Sequence, residues 1–521
     1  MSIPLIIGVI EKKLDLFARN AVLSLLTICI IALLLRLYYL PYNLPITQDA
    51  LVYFWYANDV SILGQFPTGY GFANNGWPAF LSIFFSIFHF NNFMDYMVLQ
   101  RIITISISVL TIIPVYLLCN RFFDKPCSMV GASLFAFEPR IIQNSLLGIT
   151  EPLYIILVTS VLVLFLSVSK KAVYASFGIT ALASLVRAEA MFLFLAISVM
   201  FFVRYRKEQK VVQKYALSAI IFILLLLPMA VIRIQTNGND ALIGRISMET
   251  THIFSSISEN NTESNLFLYW VKGLENPIKF VGWSMIPLFV FFVPYGTFLI
   301  FKNRGYYNTT IILTIIIMLV PALYALSFNP DTRYLYPLYP LLCIVSIFTV
   351  RVLVNKIRNR NIFLIFLIGG ILLSSWLFLN FRNTDIEHEK EALSLAFHVS
   401  NTTSGINAYL LESGYLAIPA ISEQNFPVLS NMISVKPKLI ATTGFNSLEE
   451  YIKFGKEQDL THLVLDGKEN SKYRSYFLND VFYHEEKYPY LTKVYDSWDH
   501  GYKYHLKIYK IDYERFDSIT K

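Results

Sequence analysis

Charged side chains lie at the edges of several long apolar runs, and these residues could do chemistry. Asp49 follows an apolar run at 21–40, and Glu151 opens the run that begins "EPLYIIL". Arg187 lies between two apolar runs in "LVRAEA", and Arg333 precedes another in "DTRYLYPLYP". A carboxylate can accept a proton, and an arginine fork matches phosphate oxygens. Because ionisable residues are costly at membrane depth, they usually pair inside a helical bundle or mark a functional path.

Aromatic residues accompany these charges. Tyr53 lies one helical turn after Asp49 in "DALVYFWYA", Trp77 precedes a proline in "NNGWPAF", and Tyr334 follows Arg333. Aromatic faces can stack on sugars or contact isoprenoid chains. These aromatic residues also fit the aromatic belt that membrane proteins have at the bilayer interface, and that explanation requires no ligand site.

Each charged residue has an ordinary structural explanation as well. Asp49 fits a solvated loop, and Glu151 fits a helix start, where the helix dipole favours an acid. Arg187 can pair with Glu189 or Glu151 to hold a hairpin, and Arg333 can extend to the membrane interface. The case for a site therefore depends on these charges meeting at one membrane face.

The composition indicates a polytopic membrane protein. Of the 521 residues 55% are hydrophobic and only 15% are charged, whereas about 25% of residues are charged in soluble domains. The net charge of +7 does not indicate nucleic acid. The basic residues lie in short loops between apolar runs, where membrane topology explains them.

Apolar runs of about 20 residues predict the spanning helices. We predict eleven of them, near 21–40, 96–119, 126–142, 152–169, 172–186, 188–203, 214–233, 277–300, 308–326, 335–354 and 361–381. The segment 79–90 is short and is predicted to lie at the interface. Short basic segments, such as 121–125 and 351–360, mark the cytoplasmic side. The N-terminus is then cytoplasmic, and Asp49 and the C-terminal region are outside.

From about residue 382 the chain becomes polar, which divides it into two predicted domains. Residues 1–381 form the transmembrane domain, and residues 382–521 form a small extracytoplasmic domain. Alternation in "THLVLDG" and "YKYHLKIYKID" predicts strands, and "NSLEEYIKFGKE" predicts an amphipathic helix. The expected fold is mainly α, with about eleven transmembrane helices and a C-terminal α/β domain.

Four patterns, in this order, resemble the GT-C superfamily of membrane glycosyltransferases. They are the acidic residue before an aromatic helix at Asp49, the Trp77-Pro78 helix entry, the "TEPLY" start with Arg187 downstream, and the late "RYLYPLYP". The chain is most similar to the polyprenyl-phosphate-sugar enzymes, which include the dolichyl-phosphate-mannose-protein mannosyltransferases and the aminoarabinose transferase of lipid A. The resemblance implies sugar transfer, with inversion, from a polyprenyl-phosphate donor to an extracytoplasmic protein, lipid or glycan.

The resemblance also implies roles for the residues above. Asp49 would be the general base, and Glu151 would orient the acceptor, hold an arginine or help to bind a cation. The donor phosphate would be bound by Arg333 first and Arg187 second. The substrate-binding aromatic residues would be Tyr53, Tyr334 and Trp77.

The predicted metal requirement is weak. Many relatives have an Asp-Glu pair in the first loop, where this chain has Asp49 and Ala50. With one carboxylate there and no histidine cluster, we predict no tight metal cage formed by protein ligands alone. A weakly held Mg²⁺ or Mn²⁺ that bridges to phosphate stays open, and no other cofactor is implied.

Three other functions stay open. A transporter or lipid flippase also has many spans, although no internal repeat is visible and the charges lie at one face. A membrane-anchored receptor would bind its ligand through residues 382–521. An oligosaccharyltransferase would have a signature similar to "DSWDHG" at 496–501. That stretch separates two predicted strands, so a hairpin turn explains it.

Overall fold

Helices form most of the chain. The structure is a computed structural model that describes residues 20–46, 48–68, 70, 74–90, 93–238, 275, 277–303, 305–328, 331–382, 386–387, 390–391, 394–395, 398, 406–407, 445–467 and 475–520. Within these residues six helices are long and apolar enough to cross a membrane: Ala21–Tyr38, Met94–Cys119, Val211–Asn237, Tyr306–Leu326, Thr332–Val354 and Arg360–Phe381. The expectation of a mainly α, polytopic membrane fold is confirmed.

Shorter helices lie between these spans. They are Gln48–Leu63, Gly76–Ile87, Lys125–Ala136, Pro139–Ser145, Glu151–Phe165, Lys170–Val186, Ala190–Tyr205 and Val293–Lys302. Local signals explain where several helices begin. The side chain of Asn20 accepts a hydrogen bond from the Leu23 amide (3.3 Å) at the start of the first helix. Asp124 accepts one from the Cys127 amide (3.3 Å), so each of these two residues caps a helix N-terminus.

Proline divides two of the predicted spans. The run 126–142 separates into two helices, and the second begins at Pro139, a residue favoured in the first helical turn. The run 277–300 is helical to residue 284, then continues as a 3₁₀ turn, Phe289–Phe291, and a further helix. Pro287 interrupts it because proline lacks the N–H that a continuing helix needs.

The contacts of the chain separate it into two compact units. The first unit contains the described residues of 1–40, 63–84 and 99–383, and the second contains those of 41–62, 85–98 and 384–521. The predicted domain boundary after residue 381 stays a prediction. In the first unit, Glu151–Phe165 and Lys170–Val186 pack together as neighbouring helices.

The second unit contains a four-stranded sheet. Its strands are β1 (Ile406–Asn407), β2 (Leu460–Asp466), β3 (Leu491–Asp496) and β4 (Leu506–Ile511), in the order β1-β2-β4-β3. β1 is parallel to β2, and the other pairs are antiparallel. The stretch 496–501 forms the turn of the β3–β4 hairpin, where Gly501 adopts a φ of +80°. The expected hairpin turn is therefore present.

An amphipathic helix covers this sheet. It spans Leu448–Glu457, and the Ser447 hydroxyl caps it by accepting from the Glu450 amide (3.1 Å). Its buried residues Tyr451 and Ile452 belong to one hydrophobic core with the sheet residues Leu463 and Ile508. The predicted small α/β fold of the C-terminal region is confirmed.

Candidate functional site

Two carboxylates hold one arginine in the first unit. Arg187 donates from one terminal nitrogen to Glu151 Oε1 (2.6 Å) and from the other to Glu189 Oε1 (2.8 Å). The side chain of Glu151 is only 3% exposed, and that of Arg187 is 12% exposed. We name these three residues the Arg187 cluster. The structure thus brings together Glu151 and Arg187, both predicted as site residues.

The local backbone explains this arrangement. The helix Lys170–Val186 ends at Arg187, whose backbone is extended (φ −147°, ψ 130°), and the next helix begins at Ala190. The short turn between the two helices contains both Arg187 and Glu189. Glu151 occupies the first turn of a helix with proline as its next residue, where an acid is favoured.

The Arg187 cluster carries more negative than positive charge. Two carboxylates and one guanidinium sum to −1 when all are ionised. Burial alone would lower the pKa of Arg187, yet the carboxylates of Glu189 and Glu151 outweigh it and hold that pKa well above its ordinary value. Arg187 therefore remains a cation, and its two terminal nitrogens are engaged by protein.

Tyrosine rings lie against the Arg187 guanidinium. The ring of Tyr154 is centred 6.0 Å from its central carbon, and the ring of Tyr334 is 5.7 Å away. Both distances are within the range of a cation–π contact. Tyr334, a predicted substrate-binding residue, therefore lies beside the Arg187 cluster.

Arg333 lies next to Tyr334 in a 3₁₀ turn, Thr332–Leu338. Asp331 begins this turn by accepting hydrogen bonds from the Arg333 amide (2.9 Å) and from its Nε (2.5 Å). The Arg333 side chain is about a quarter exposed. Of the two predicted residues of this motif, Tyr334 contacts the Arg187 guanidinium, and Arg333 is its neighbour along the chain.

An apolar groove begins directly after these residues. Its volume is about 230 Å³, and Leu335, Leu338 and Leu342 line it from the chain segment that follows Tyr334. Residues of the broken helix 277–302 and of Tyr306–Phe328 complete its walls. The segment therefore carries an arginine at its start and an apolar surface within its next turns.

Asp49 and Tyr53 belong to the second unit. Asp49 is exposed in the first turn of the helix Gln48–Leu63, and Tyr53 is half-buried one turn later. Phe54, the residue after Tyr53, is fully buried, and its ring packs edge-on against Phe85 (5.7 Å between centroids). The helix is therefore anchored by buried aromatic side chains such as Phe54, while Asp49 stays accessible.

Trp77 lies inside the first unit. Its side chain is fully buried and stacks on Phe80, with 6.0 Å between ring centroids. The preceding Gly76 approaches another helix closely, because a Cβ atom there would lie 2.7 Å from the carbonyl carbon of Leu185. The Trp77 motif thus contacts the backbone just before Arg187.

A second buried ion pair, between Glu138 and Arg140, was not predicted as a candidate site from the sequence. Glu138 Oε1 lies 3.4 Å from a terminal nitrogen of Arg140, and both side chains are almost fully buried. Arg140 also donates to the carbonyl oxygens of Trp283 (2.7 Å) and Ile286. A usable signal was present, since "EPR" places two charges at the end of an apolar run.

The residues near Glu151 do not suit a metal ion. The part of the chain that the structure describes contains no group of three or more His, Cys, Asp or Glu side chains that could hold one. The Glu151 carboxylate already accepts from Arg187, and a bound cation would compete with that guanidinium. We therefore assign no reaction step to a metal.

Comparisons with known proteins give similarity in structure only. No family model matches the chain. No curated protein sequence matches it either. The oligosaccharyltransferase of Archaeoglobus fulgidus, crystallised with zinc and sulfate, matches with a TM-score of 0.55 and 13% identity, covering 89% of this chain and 70% of that one.

A second solved structure matches over nearly the whole of both chains. It is ArnT from Cupriavidus metallidurans bound to undecaprenyl phosphate, with a TM-score of 0.56 and 11% identity, covering 93% of this chain and 97% of that one. Both proteins are membrane glycosyltransferases of the GT-C type. The chain therefore has the GT-C fold, as its sequence motifs predicted.

Proposed function

We propose that this protein transfers a sugar from a polyprenyl-phosphate-linked donor to an extracytoplasmic acceptor, with inversion at the sugar. One observation carries the proposal. Arg333 stands at the start of a turn whose following residues, Leu335 and Leu338, line an apolar groove. A cation beside an apolar groove suits a phosphate that is joined to a long hydrocarbon chain.

The fold supports this substrate class. The Archaeoglobus oligosaccharyltransferase has been solved with a dolichol-phosphate and, separately, with a tethered acceptor peptide. The Cupriavidus protein was solved with undecaprenyl phosphate. By analogy, the partners proposed here are the lipid donor, the bilayer and a protein, lipid or glycan acceptor outside the cell.

In the proposed reaction the acceptor hydroxyl oxygen attacks the anomeric carbon of the sugar. The bond from that carbon to the phosphate oxygen breaks, and its electron pair leaves with the phosphate. Asp49 takes the acceptor proton, which requires it to come within about 3 Å of that hydroxyl. Attack from the face opposite the phosphate inverts the anomeric carbon.

The other residues receive roles that match their contacts. Arg333 stabilises the anionic phosphate, because a guanidinium stays charged and can bind two phosphate oxygens at once. Arg187 uses its terminal nitrogens on Glu151 and Glu189, so it fixes Glu151, which in turn orients the acceptor. Tyr53 and Tyr334 supply aromatic faces, and buried Trp77 follows Gly76, which packs against the backbone at Leu185.

The proposed topology follows from charge. The chain is a multi-pass membrane protein, and its basic loops favour a cytoplasmic N-terminus. The C-terminal α/β part and Asp49 would then lie on the extracytoplasmic side, where a polyprenyl-linked sugar would meet its acceptor.

The test is sugar transfer by membranes that contain the full chain or its Asp49→Asn variant. Labelled polyprenyl-phosphate sugars are supplied, and mass spectrometry follows the released carrier and the glycosylated product. We expect Asp49→Asn to lose about 100-fold or more of the transfer rate at equal expression, since it removes the proton acceptor. Equal transfer by both proteins would overturn the assignment of Asp49.

A matched control is available in the same unit. Asp95 is also an exposed aspartate in the first turn of a helix, Phe93–Leu110. Asp95→Asn makes the same chemical change and should leave transfer unaltered. The product also separates the alternatives, because sugar on asparagine indicates an oligosaccharyltransferase, and lipid movement without transfer indicates a flippase.

A further inference from the structure

A polar pocket lies at the opposite end of the first unit from the predicted extracytoplasmic side. Its volume is about 330 Å³, and its lining includes three arginines: Arg121, Arg351 and Arg360. Asp124 is the acidic residue of the lining, so the formal charge of the lining side chains is +2. The pocket belongs to the basic segments that mark the cytoplasmic face.

One arginine of this pocket is held in place by the protein. Arg360 donates from Nη2 to the Asp124 carboxylate and lies 3.4 Å from the sulfur of Cys127. Its Nε is buried, with no hydrogen-bond partner among the described residues. Arg121 and Arg351 are both exposed at the same opening. The pocket thus combines one fixed guanidinium with two accessible ones.

An apolar groove adjoins this pocket. The groove measures about 240 Å³ and runs between the helices Ala21–Tyr38, Lys125–Ala136 and Arg360–Phe381. The two cavities meet along the chain, because Pro126 and Asn361 line the groove while the adjacent residues Cys127 and Arg360 line the pocket. Neighbouring residues of the same two helices therefore line a cationic cavity and a hydrocarbon-lined cavity.

We propose that this site binds one anionic phospholipid from the cytoplasmic leaflet, with its phosphate in the arginine pocket and one of its chains in the groove. Basic pockets between transmembrane helices on the cytoplasmic side suit such headgroups. Arginine binds phosphate oxygens through charge-assisted hydrogen bonds. The apolar groove selects a lipid over a soluble phosphate, which has no chain to place there.

The ordinary excess of cytoplasmic basic residues does not account for the pocket. Lys356 and Arg358 lie in the same short connection, are exposed and do not line either cavity. They therefore provide matched controls for charge alone. The site is also independent of the proposed sugar transfer, which is assigned to the other membrane face.

The first test uses the full chain, purified in a neutral detergent and titrated with phosphatidylglycerol or phosphatidylcholine under native mass spectrometry. We expect one phosphatidylglycerol to bind per chain, about tenfold more tightly than phosphatidylcholine. The double variant Arg121→Ala/Arg351→Ala should lose that preference, while Lys356→Ala/Arg358→Ala, with the same loss of charge, should keep it. Equal losses in both variants, or no preference in the original chain, would overturn the proposal.

The second test fills the groove. Gly369 lines the groove and Gly370 does not, and a Cβ atom would meet nothing within 4 Å at either position. Gly369→Leu should weaken phosphatidylglycerol binding about tenfold, whereas Gly370→Leu should leave it unchanged. Glycerol phosphate, which has the headgroup without the chains, should compete poorly. Full competition by glycerol phosphate, or equal behaviour of the two leucine variants, would contradict a lipid site.

Discussion

Two buried arginine–glutamate pairs in the same unit differ in what the arginine binds. Arg187 binds two carboxylates and has two tyrosine rings against its guanidinium. Arg140 binds one carboxylate weakly, at 3.4 Å, and donates to the backbone carbonyls of Trp283 and Ile286. The rings of Trp283 and Phe378 lie against its guanidinium. Both arginines contact aromatic rings, so the difference lies in their hydrogen bonds: those of Arg187 hold carboxylate side chains, and the shorter ones of Arg140 hold backbone.

The backbone that Arg140 stabilises is that of the interrupted helix after residue 277. An interrupted helix leaves carbonyl oxygens unpaired, and such groups are tolerated at membrane depth only where protein satisfies them. Tyr339 assists by donating its hydroxyl to the Ser284 carbonyl (3.1 Å). We infer from this difference that the Arg140 pair maintains the fold, while the Arg187 cluster is available for chemistry.

The largest expected effect is on stability, from Arg140→Met. It removes the guanidinium beside the buried Glu138 carboxylate and frees the carbonyls of Trp283 and Ile286, so we expect a loss of about 3–5 kcal/mol. Thermal unfolding of the purified chain in detergent measures this. The double variant Glu138→Gln/Arg140→Met removes the unpaired charge and should recover part of the loss. An Arg140→Met chain as stable as the original would contradict the inference that the Arg140 pair maintains the fold.

The second-largest expected effect is a loss of the proposed sugar transfer in the Glu151→Gln variant. We expect transfer to fall about 100-fold, because the amide loses the charge by which Glu151 and Arg187 hold each other in place. Glu138→Gln makes the same change in the other pair and should leave the transfer rate of the folded chain within about threefold. Transfer assays at equal amounts of folded protein compare the two, and equal rates would remove the distinction between the pairs.

Arg187→Lys sharpens the comparison with a smaller change. Lysine keeps the charge but cannot bond two separate carboxylates with a planar fork. We expect about a tenfold loss of transfer and little change in the melting temperature. If the variant melts as early as Arg140→Met, the Arg187 cluster also serves mainly to hold the fold.

The smallest expected effect comes from Tyr334→Leu. It removes a ring 5.7 Å from the Arg187 guanidinium, a contact of about 0.5–1 kcal/mol. Transfer should fall about two- to fivefold. Tyr336→Leu, in the same 3₁₀ turn, serves as a comparison because the ring of Tyr336 packs against Tyr339 (5.2 Å) instead. A larger effect on transfer from Tyr336→Leu than from Tyr334→Leu would argue against the proposed role of Tyr334.

The helices could be predicted from sequence because their signals are local. Apolar runs of sufficient length show where each helix lies, and residues such as Asn20 and Glu151 mark where one begins. The strands β2, β3 and β4 were visible for the same reason, since their alternation needs only a few residues, whereas the two-residue strand β1 was not predicted. The contact between Glu151 and Arg187 was also within reach, because Glu151 begins one helix and Arg187 follows the end of another on one predicted face.

Contacts between distant parts of the chain were not visible. Arg140 and the carbonyl of Trp283 that it binds are 143 residues apart, and hydropathy carries no information on such pairs. The break in the predicted span 277–300 had a local signal in Pro287, but the side chain that satisfies the freed carbonyls comes from another helix and could not be identified from the sequence. The roles of Asp49, Tyr53 and Trp77 stay predictions, because they depend on a substrate.

Gly76 shows how a residue without functional groups can matter as much as one that has them. Any side chain at this position would push against the backbone at Leu185, two residues before Arg187. An alanine scan scored only by activity would then rank Gly76 with the reacting residues, although glycine has no side chain that could react. For anyone redesigning this part of the chain, residues 75–78 and 185–189 should be varied together as one block.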